Sequence, residues 1–292
     1  MDKVLVIGGA GFMGSHAADE LSKQGYDVTI FDQCESPWIK KDQKTIIGDI
    51  MDREAVQAAV KGSKYIYHYA GIADISEASG SPYDTINSNV MGTTIALEAA
   101  VKEKVERFVY ASSMYVYSPY GSFYRASKQA AETVIEAYNQ KFKLDYTLLR
   151  YGSLYGPRSQ NWNGLKRLLS QIVKEGRLDY FGTGKERREY IHVFDAARLS
   201  VDILNVAHRN EAITVTGSQV LNSSELIDMM FEIVGCERDV SFHNSKSLGD
   251  HYVMTPYRYV PQKAKKLVPD EFVDVGEGIL DLIGEIHTEN QD

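Results

Sequence analysis

Val4-Leu5-Val6-Ile7 runs directly into Gly8-Gly9-Ala10-Gly11-Phe12-Met13-Gly14. The apolar run has the length and branching of a strand buried on both faces, and the glycines at Gly8, Gly11 and Gly14 open the helix that follows. Strand, tight turn and helix N-terminus together present backbone N–H groups and the positive end of a helix dipole to a pyrophosphate. A glycine pattern alone is weak, but this one has an acid in the expected place. Asp32 ends the next strand-like run, Asp27 to Phe31, 18 positions after Gly14. There a carboxylate accepts hydrogen bonds from adenosine ribose hydroxyls and repels a 2'-phosphate, so NAD is expected over NADP.

Working outward, strand and helix alternate. A helix from Ser15 stops at Gly25; strands Thr45–Gly48 and Tyr65–Tyr69 flank a helix capped by Asp52. A long helix over Tyr83–Lys104, a strand over Arg107–Ala111, a helix over Tyr124–Phe142 and a strand over Tyr146–Arg150 follow. Parallel strands need crossover helices, so the expected fold class is α/β: a Rossmann-type doubly wound parallel sheet with a smaller mixed α/β substrate lobe. Residues 1–150 are expected to form the dinucleotide-binding domain, rejoined by about 189–210, with 151–188 and 211–292 forming the lobe. Ligands of such a sheet bind at the carboxyl ends of its strands, where the glycine turn also lies.

Composition narrows the function. The 292 residues, 43% hydrophobic and 25% charged, suit an ordinary globular protein rather than a disordered one. A net charge of -8 disfavours nucleic acid or an anionic membrane as partner. Two cysteines are too few for a disulfide framework, no apolar run reaches membrane-spanning length, and the first strand starts too early for a signal peptide; the cytoplasm is the expected address. The seven histidines are scattered without metal-ligand spacing, so no metal is expected, and His192 is expected to serve structure at a strand end.

Chemistry-bearing residues cluster in Ala111-Ser112-Ser113-Met114-Tyr115-Val116-Tyr117 and Tyr124-Arg125-Ala126-Ser127-Lys128. Tyr124 and Lys128 are four apart, hence on one helix face. Moving a tyrosine from a pKa of ~10 to ~7 takes roughly 4 kcal/mol of preferential stabilisation of its anion. A neighbouring ammonium and a positive nicotinamide ring are plausible sources in a partly dehydrated cleft. Tyr124 is then the candidate general acid/base, with Ser113 holding the same substrate oxygen. With 19 tyrosines in the chain, a surface Tyr–Lys pair is the competing reading, and the place of this pair after the Ser-Ser loop favours catalysis.

Further motifs recur along the chain: Asp49-Ile50, His68-Tyr69-Ala70-Gly71, Asn89-Val90-Met91-Gly92-Thr93, Arg150-Tyr151-Gly152-Ser153-Leu154-Tyr155-Gly156-Pro157 and Arg187-Arg188-Glu189-Tyr190-Ile191-His192-Val193. With the closing Lys263–Leu267 and Gly276–Ile283 segments, they resemble the extended short-chain dehydrogenase/reductase family, in its nucleotide-sugar epimerase/dehydratase branch, over nearly the whole chain. The resemblance implies NAD binding by Gly8, Gly11, Phe12, Met13, Gly14 and Asp32, with Asp49 and Ile50 at the adenine. Toward the reacting end it implies Tyr69, Ala70, Asn89, Ala111, Tyr124, Lys128 and Tyr151. It implies the catalytic set Ser113, Tyr124 and Lys128, and substrate contacts from Ser113, Ser153, Arg188 and Arg258, with Arg188 meeting the nucleotide diphosphate. It also implies a homodimer through a four-helix interface of the helices 83–104 and 124–142.

The departures sharpen the activity. Dehydratases of this family carry Asp-Glu directly after the catalytic Ser/Thr, whereas this chain has Met114 and Tyr115. Neither can move a proton as a carboxyl group does. The Ser113–Tyr124 interval is short, and Ser153 replaces the usual Asn. The expected activity is NAD-dependent epimerisation of a nucleotide-sugar at C4 through a transient 4-keto intermediate; net dehydrogenation or keto-reduction is the alternative. A 4,6-dehydratase and a non-catalytic NAD-sensing scaffold rank below these. Trp162 is expected to pack between the lobes, with stacking on a nucleotide base as the alternative.

Overall fold

Lys3–Ile7 (β1) is an interior strand of the main sheet, and Val4, Leu5, Val6 and Ile7 have no exposed surface. Burial of each such side chain is worth about 1.5–3 kcal/mol, which makes this strand a strong anchor for the sheet. The computed structural model describes residues 1–204, 206–218, 220–243 and 251–256. After β1 come α1 (Phe12–Lys23), β2 (Asp27–Asp32), β3 (Lys44–Ile47), α2 (Arg53–Val60) and β4 (Tyr65–His68). Then follow α3 (Ile75–Gly80), α4 (Pro82–Ile86), α5 (Gly92–Lys102), β5 (Arg107–Ser113), α6 (Ser122–Phe142) and β6 (Tyr146–Tyr151). Local signals place several boundaries: Gly25 has φ +89° just beyond α1, and the Asp52 carboxylate accepts from the N–H groups of Glu54 and Ala55 at 3.0 Å to start α2.

The remaining elements are β7 (Ser153–Tyr155), α7 (Gly164–Glu175), β8 (Leu178–Tyr180), β9 (Arg187–His192), α8 (Val193–Asp202), β10 (Glu211–Val215), β11 (Val220–Asn222), α9 (Ser223–Val234) and β12 (Val240–Phe242). Among the described residues the main sheet has seven parallel strands in the order β10-β6-β5-β4-β1-β2-β3. The order reverses between β1 and β4, which opens the crevice where ligands of this architecture bind. Buried residues of α1 (Ala17, Ala18, Leu21) and α8 (Ala196, Ala197, Val201) cover one face; Val56, Ala96, Leu97 and Ile135 of α2, α5 and α6 cover the other. A second layer comprises β11-β9-β7 and the parallel pair β12-β8, with α7 and α9 packed through Ile172, Ile227, Met230 and Phe231.

Three local expectations are corrected. First, residues 189–210 were expected to rejoin the first domain together; α8 packs on the main sheet, but β9 pairs with β7 and β11. Second, Ile213 was expected to begin the lobe again, but β10 pairs in parallel with β6 and adds the seventh strand, with α8 as its crossover helix. Both strands bury one face only, and such alternation does not say which sheet a strand joins. Third, the single helix expected over Tyr83–Lys104 is broken by a π-helical turn at Asn87–Met91, between α4 and α5. The wider turn carries Asn89 inward, where its side chain is 1% exposed.

Candidate active site

The glycine turn leaves bare backbone at the crevice. A Cβ on Gly8, whose φ is +82°, would sit 2.4 Å from the Ala70 nitrogen, and one on Gly14 would sit 2.2 Å from the Gly8 carbonyl oxygen. No side chain caps α1, whose N-cap is Gly11, so its first N–H groups are available to an anion. Asp32 closes the turn: its carboxylate accepts from the Ala10 N–H at 2.9 Å and from the Gln33 N–H at 2.7 Å. Its remaining lone pairs can take ribose hydroxyls. The residues therefore fit a dinucleotide. Gly14→Ala forces Cβ against backbone, and at about 1–3 kcal/mol for overpacking we expect NAD affinity to fall about 10- to 100-fold, read by titration calorimetry.

A cavity of about 880 Å³ joins this turn to the second layer. It is lined by Gly8, Gly11, Phe12, Met13, Gly14, Asp32, Asp49 and Ile50 at one end, and by Tyr69, Ala70, Ala111, Ser113, Tyr124, Lys128, Tyr151, Ser153 and Arg188 toward the other. Asn89 is not among the lining residues. Its Oδ1 accepts from the Ile72 N–H at 2.7 Å, and its Nδ2 donates to the Ile72 carbonyl and to Ser127 Oγ, each at 2.9 Å. This side chain thus ties the loop after β4 to α6 beneath the cavity. Trp162 is 46% exposed on the cavity wall, not packed away between the layers as expected. His192 sits at a strand end, where its Nδ1 accepts from the Phe194 N–H at 3.3 Å and caps α8. Arg258 and the closing segments Lys263–Leu267 and Gly276–Ile283 lie outside the described residues. Among the described residues no group of His, Cys, Asp and Glu could hold a metal ion.

Ser113 ends β5, and Tyr124 and Lys128 share one face of α6. Burial pushes the Tyr124 phenol above its ordinary range, and a hydrogen bond with Ser113 opposes that rise. Lys128 Nζ donates to the Ala111 carbonyl at 2.8 Å and lies 4.8 Å from the Tyr110 ring centroid and 5.8 Å from that of Tyr124. The ammonium is thus engaged by a carbonyl and two ring faces. Burial pushes Lys128 down to about 8, with Glu132 opposing. The charged amine is therefore lost as pH rises through that value. We expect kcat/KM to fall above about pH 8, and Lys128→Arg to move that limb upward, in a pH–rate profile.

Sequence reasoning missed two groups. Glu132 is 4% exposed; its carboxylate accepts from Arg150 Nε at 3.0 Å and Nη2 at 2.6 Å, and from the Ser112 hydroxyl. Arg150 also donates to the Tyr117 hydroxyl. The spacing Tyr124, Lys128, Glu132, four and four on one helix face, was the available signal. The second group is Tyr115 with His251 and Tyr252. Tyr115 packs edge-on to Tyr124 at a centroid distance of 5.9 Å, and its hydroxyl lies 2.8 Å from His251 Nδ1. No local pattern announces that contact.

A doubly wound sheet with a dinucleotide turn at its switch point, and a Ser–Tyr–Lys set at the far end of the same cavity, defines a nucleotide-cofactor-dependent α/β enzyme. The family model described as the NAD dependent epimerase/dehydratase family matches residues 4–216, and the chain belongs to that family. A Methanocaldococcus jannaschii protein provisionally named UDP-glucose 4-epimerase is 26% identical over 99% of both chains. The dTDP-glucose 4,6-dehydratase of Streptomyces niveus is 26% identical over 82% of this chain and 80% of its own. Among solved structures, the UDP-glucuronic acid 4-epimerase of Bacillus cereus, in complex with UDP-glucuronic acid and NAD, superposes with a TM-score of 0.80 at 24% identity, covering 90% of this chain and 95% of that one.

Proposed function

We propose that the protein is an NAD-dependent nucleotide-sugar 4-epimerase. The observation that carries this reading is one cavity that holds the glycine turn, Ser113, Tyr115, Tyr124 and Lys128, with no carboxyl group at positions 114 and 115, where dehydratases of the resembling branch have them and this chain has Met114 and Tyr115. Met114 is fully buried and cannot exchange a proton with substrate. NAD, when bound, supplies a reversible acceptor for the C4 hydrogen with its electron pair. Tyr124 acts as the phenolate, an anion that Lys128 and the positive nicotinamide ring of bound NAD would favour; it takes the C4 hydroxyl proton as the 4-keto sugar forms and gives it back after the sugar has turned. Ser113 holds the same oxygen, and Lys128 supplies positive charge beside it. Gly8, Gly11 and Gly14 hold the pyrophosphate, Asp32 the adenosine ribose, and Arg188 the substrate diphosphate.

Domain organisation and assembly complete the proposal. The main sheet is the NAD-binding part, and the layer of β7–β9, β11, β12, α7 and α9 is the substrate lobe. Tyr83, Ile86 and Met91 on α4 and the π turn, with Phe123 and Phe142 on α6, expose large apolar side chains on the helices expected to pair in a homodimer. The proposed address is the cytoplasm. No helix among the described residues is long and apolar enough to cross a membrane. The test incubates the NAD-loaded protein with UDP-, GDP-, CDP- and dTDP-sugars and follows isomer formation together with absorbance of reduced nicotinamide. Isomer without accumulated NADH is the expected result, whereas stoichiometric NADH would replace the epimerase by a dehydrogenase.

A further inference from the structure

Arg188 Cζ lies 5.2 Å from the Tyr252 ring centroid, and the Tyr252 and Tyr115 centroids are 4.5 Å apart. The guanidinium lies over Tyr252, whose ring is tilted by 43° against that of Tyr115, and the series ends edge-on against Tyr124. Tyr115 and Tyr252 are 8% and 4% exposed and pack with Ile75, so their rings are held firmly. Tyr115 and His251 reach the cavity wall together with Arg188. Among the described residues no carboxylate pairs with Arg188, although it is half-buried. The guanidinium, the Tyr115 phenol and the His251 imidazole line one cavity, a set of groups whose chemistry suits an oxyanion.

We propose that Tyr115 and His251 are substrate-binding residues that extend Arg188 into an oxyanion clamp. In the clamp His251 Nδ1–H donates to the Tyr115 oxygen, which leaves the one Tyr115 proton to be donated, beside the guanidinium, to one phosphate or carboxylate group of the substrate. This deepens the proposed function and rests on it. The clamp has a positional consequence as well. Because the Tyr115 ring abuts Tyr124, an anion seated on it sets the distance between the rest of the substrate and the acid/base oxygen. The oxyanion has two chemical sources, the diphosphate of a nucleotide-sugar and the carboxylate of a nucleotide-linked sugar acid.

The test measures binding by titration calorimetry with the NAD-loaded enzyme. Its probes are whichever of UDP, GDP, CDP and dTDP the wild type binds, and the corresponding glucose and glucuronic acid conjugates. Tyr115→Phe keeps the ring stack and removes only the hydroxyl, and we expect it to weaken binding about tenfold. His251→Ala is expected to do the same, with His251→Gln recovering part of the loss. An equal loss for nucleoside diphosphate and both conjugates assigns the clamp to the diphosphate. A loss confined to the glucuronic acid conjugate assigns it to the sugar carboxylate. Unchanged affinity for every ligand in Tyr115→Phe overturns the clamp, as does an equal loss of NAD affinity, which would mark a general structural defect. If the wild type binds none of the nucleotides or conjugates, the clamp and the proposed function both fall.

Discussion

Tyr124→Phe is expected to lower turnover about a thousandfold while leaving the fold and bound NAD in place. General acid/base groups contribute about 10²–10⁴ in rate, and Tyr124 is the cavity-lining phenol that hydrogen-bonds with the Ser113 hydroxyl. The substitution removes one oxygen and keeps a ring packed edge-on against Tyr115. The α6 face should therefore retain its place, and with it the Lys128 bond to the Ala111 carbonyl. The measurement is isomer formed per enzyme, alongside NAD released on denaturation and the circular dichroism of the variant. Turnover equal to wild type would remove Tyr124 from the mechanism.

The second large effect falls on stability. Glu132→Ala is expected to destabilise the protein by about 3–5 kcal/mol, because it strips the carboxylate from a buried guanidinium. The side chains of Arg150 and Glu132 are 10% and 5% exposed, and their closest contact is 2.6 Å. Burial works against the charge of Arg150, but its bonds to Glu132 and Tyr117 hold its pKa above the ordinary value. Removing the glutamate leaves the desolvation cost and takes away its largest compensation. The paired change Glu132→Ala with Arg150→Met should recover more than half of the loss, since replacing both charges by apolar groups is often nearly neutral. Urea unfolding of the three proteins measures both quantities, and a single variant within ~0.5 kcal/mol of wild type would contradict the assignment. The pair joins α6 to β6 beneath Ser112, so it also holds the helix that carries Tyr124 and Lys128.

Residues whose roles depend on neighbours in sequence were readable before the structure. Asp52 caps its helix as the Asp–x–x pattern implies, and Gly25 ends α1 with a positive φ. Ser113, Tyr124 and Lys128 arrive in one cavity because a strand end and one helix face each present their side chains at regular intervals. Asn89 shows the limit of that kind of inference. Its motif was legible, but the π turn directs the amide into Ile72 and Ser127 instead of the cavity. The sheet memberships of β9 and β10 were not legible either, since pairing between distant strands depends on which edges remain open after the core has formed.

By itself, the sequence determined the glycine turn of Gly8 to Gly14, the carboxylate at Asp32 and the Tyr124–Lys128 face. Each is a backbone or helical constraint confined to a few consecutive residues or to one short alternation of strand and helix. Only the tertiary structure decided what surrounds them. Tyr115 meets His251 across 136 positions, Arg150 meets Glu132 across 18, and Arg188 comes to rest over Tyr252. Helical spacing could put Glu132 on the Lys128 face, but no periodicity names the partner in any of these contacts. They form when burial forces polar side chains from separate elements to find partners in the same small volume, and that choice depends on the packing of the whole cavity wall.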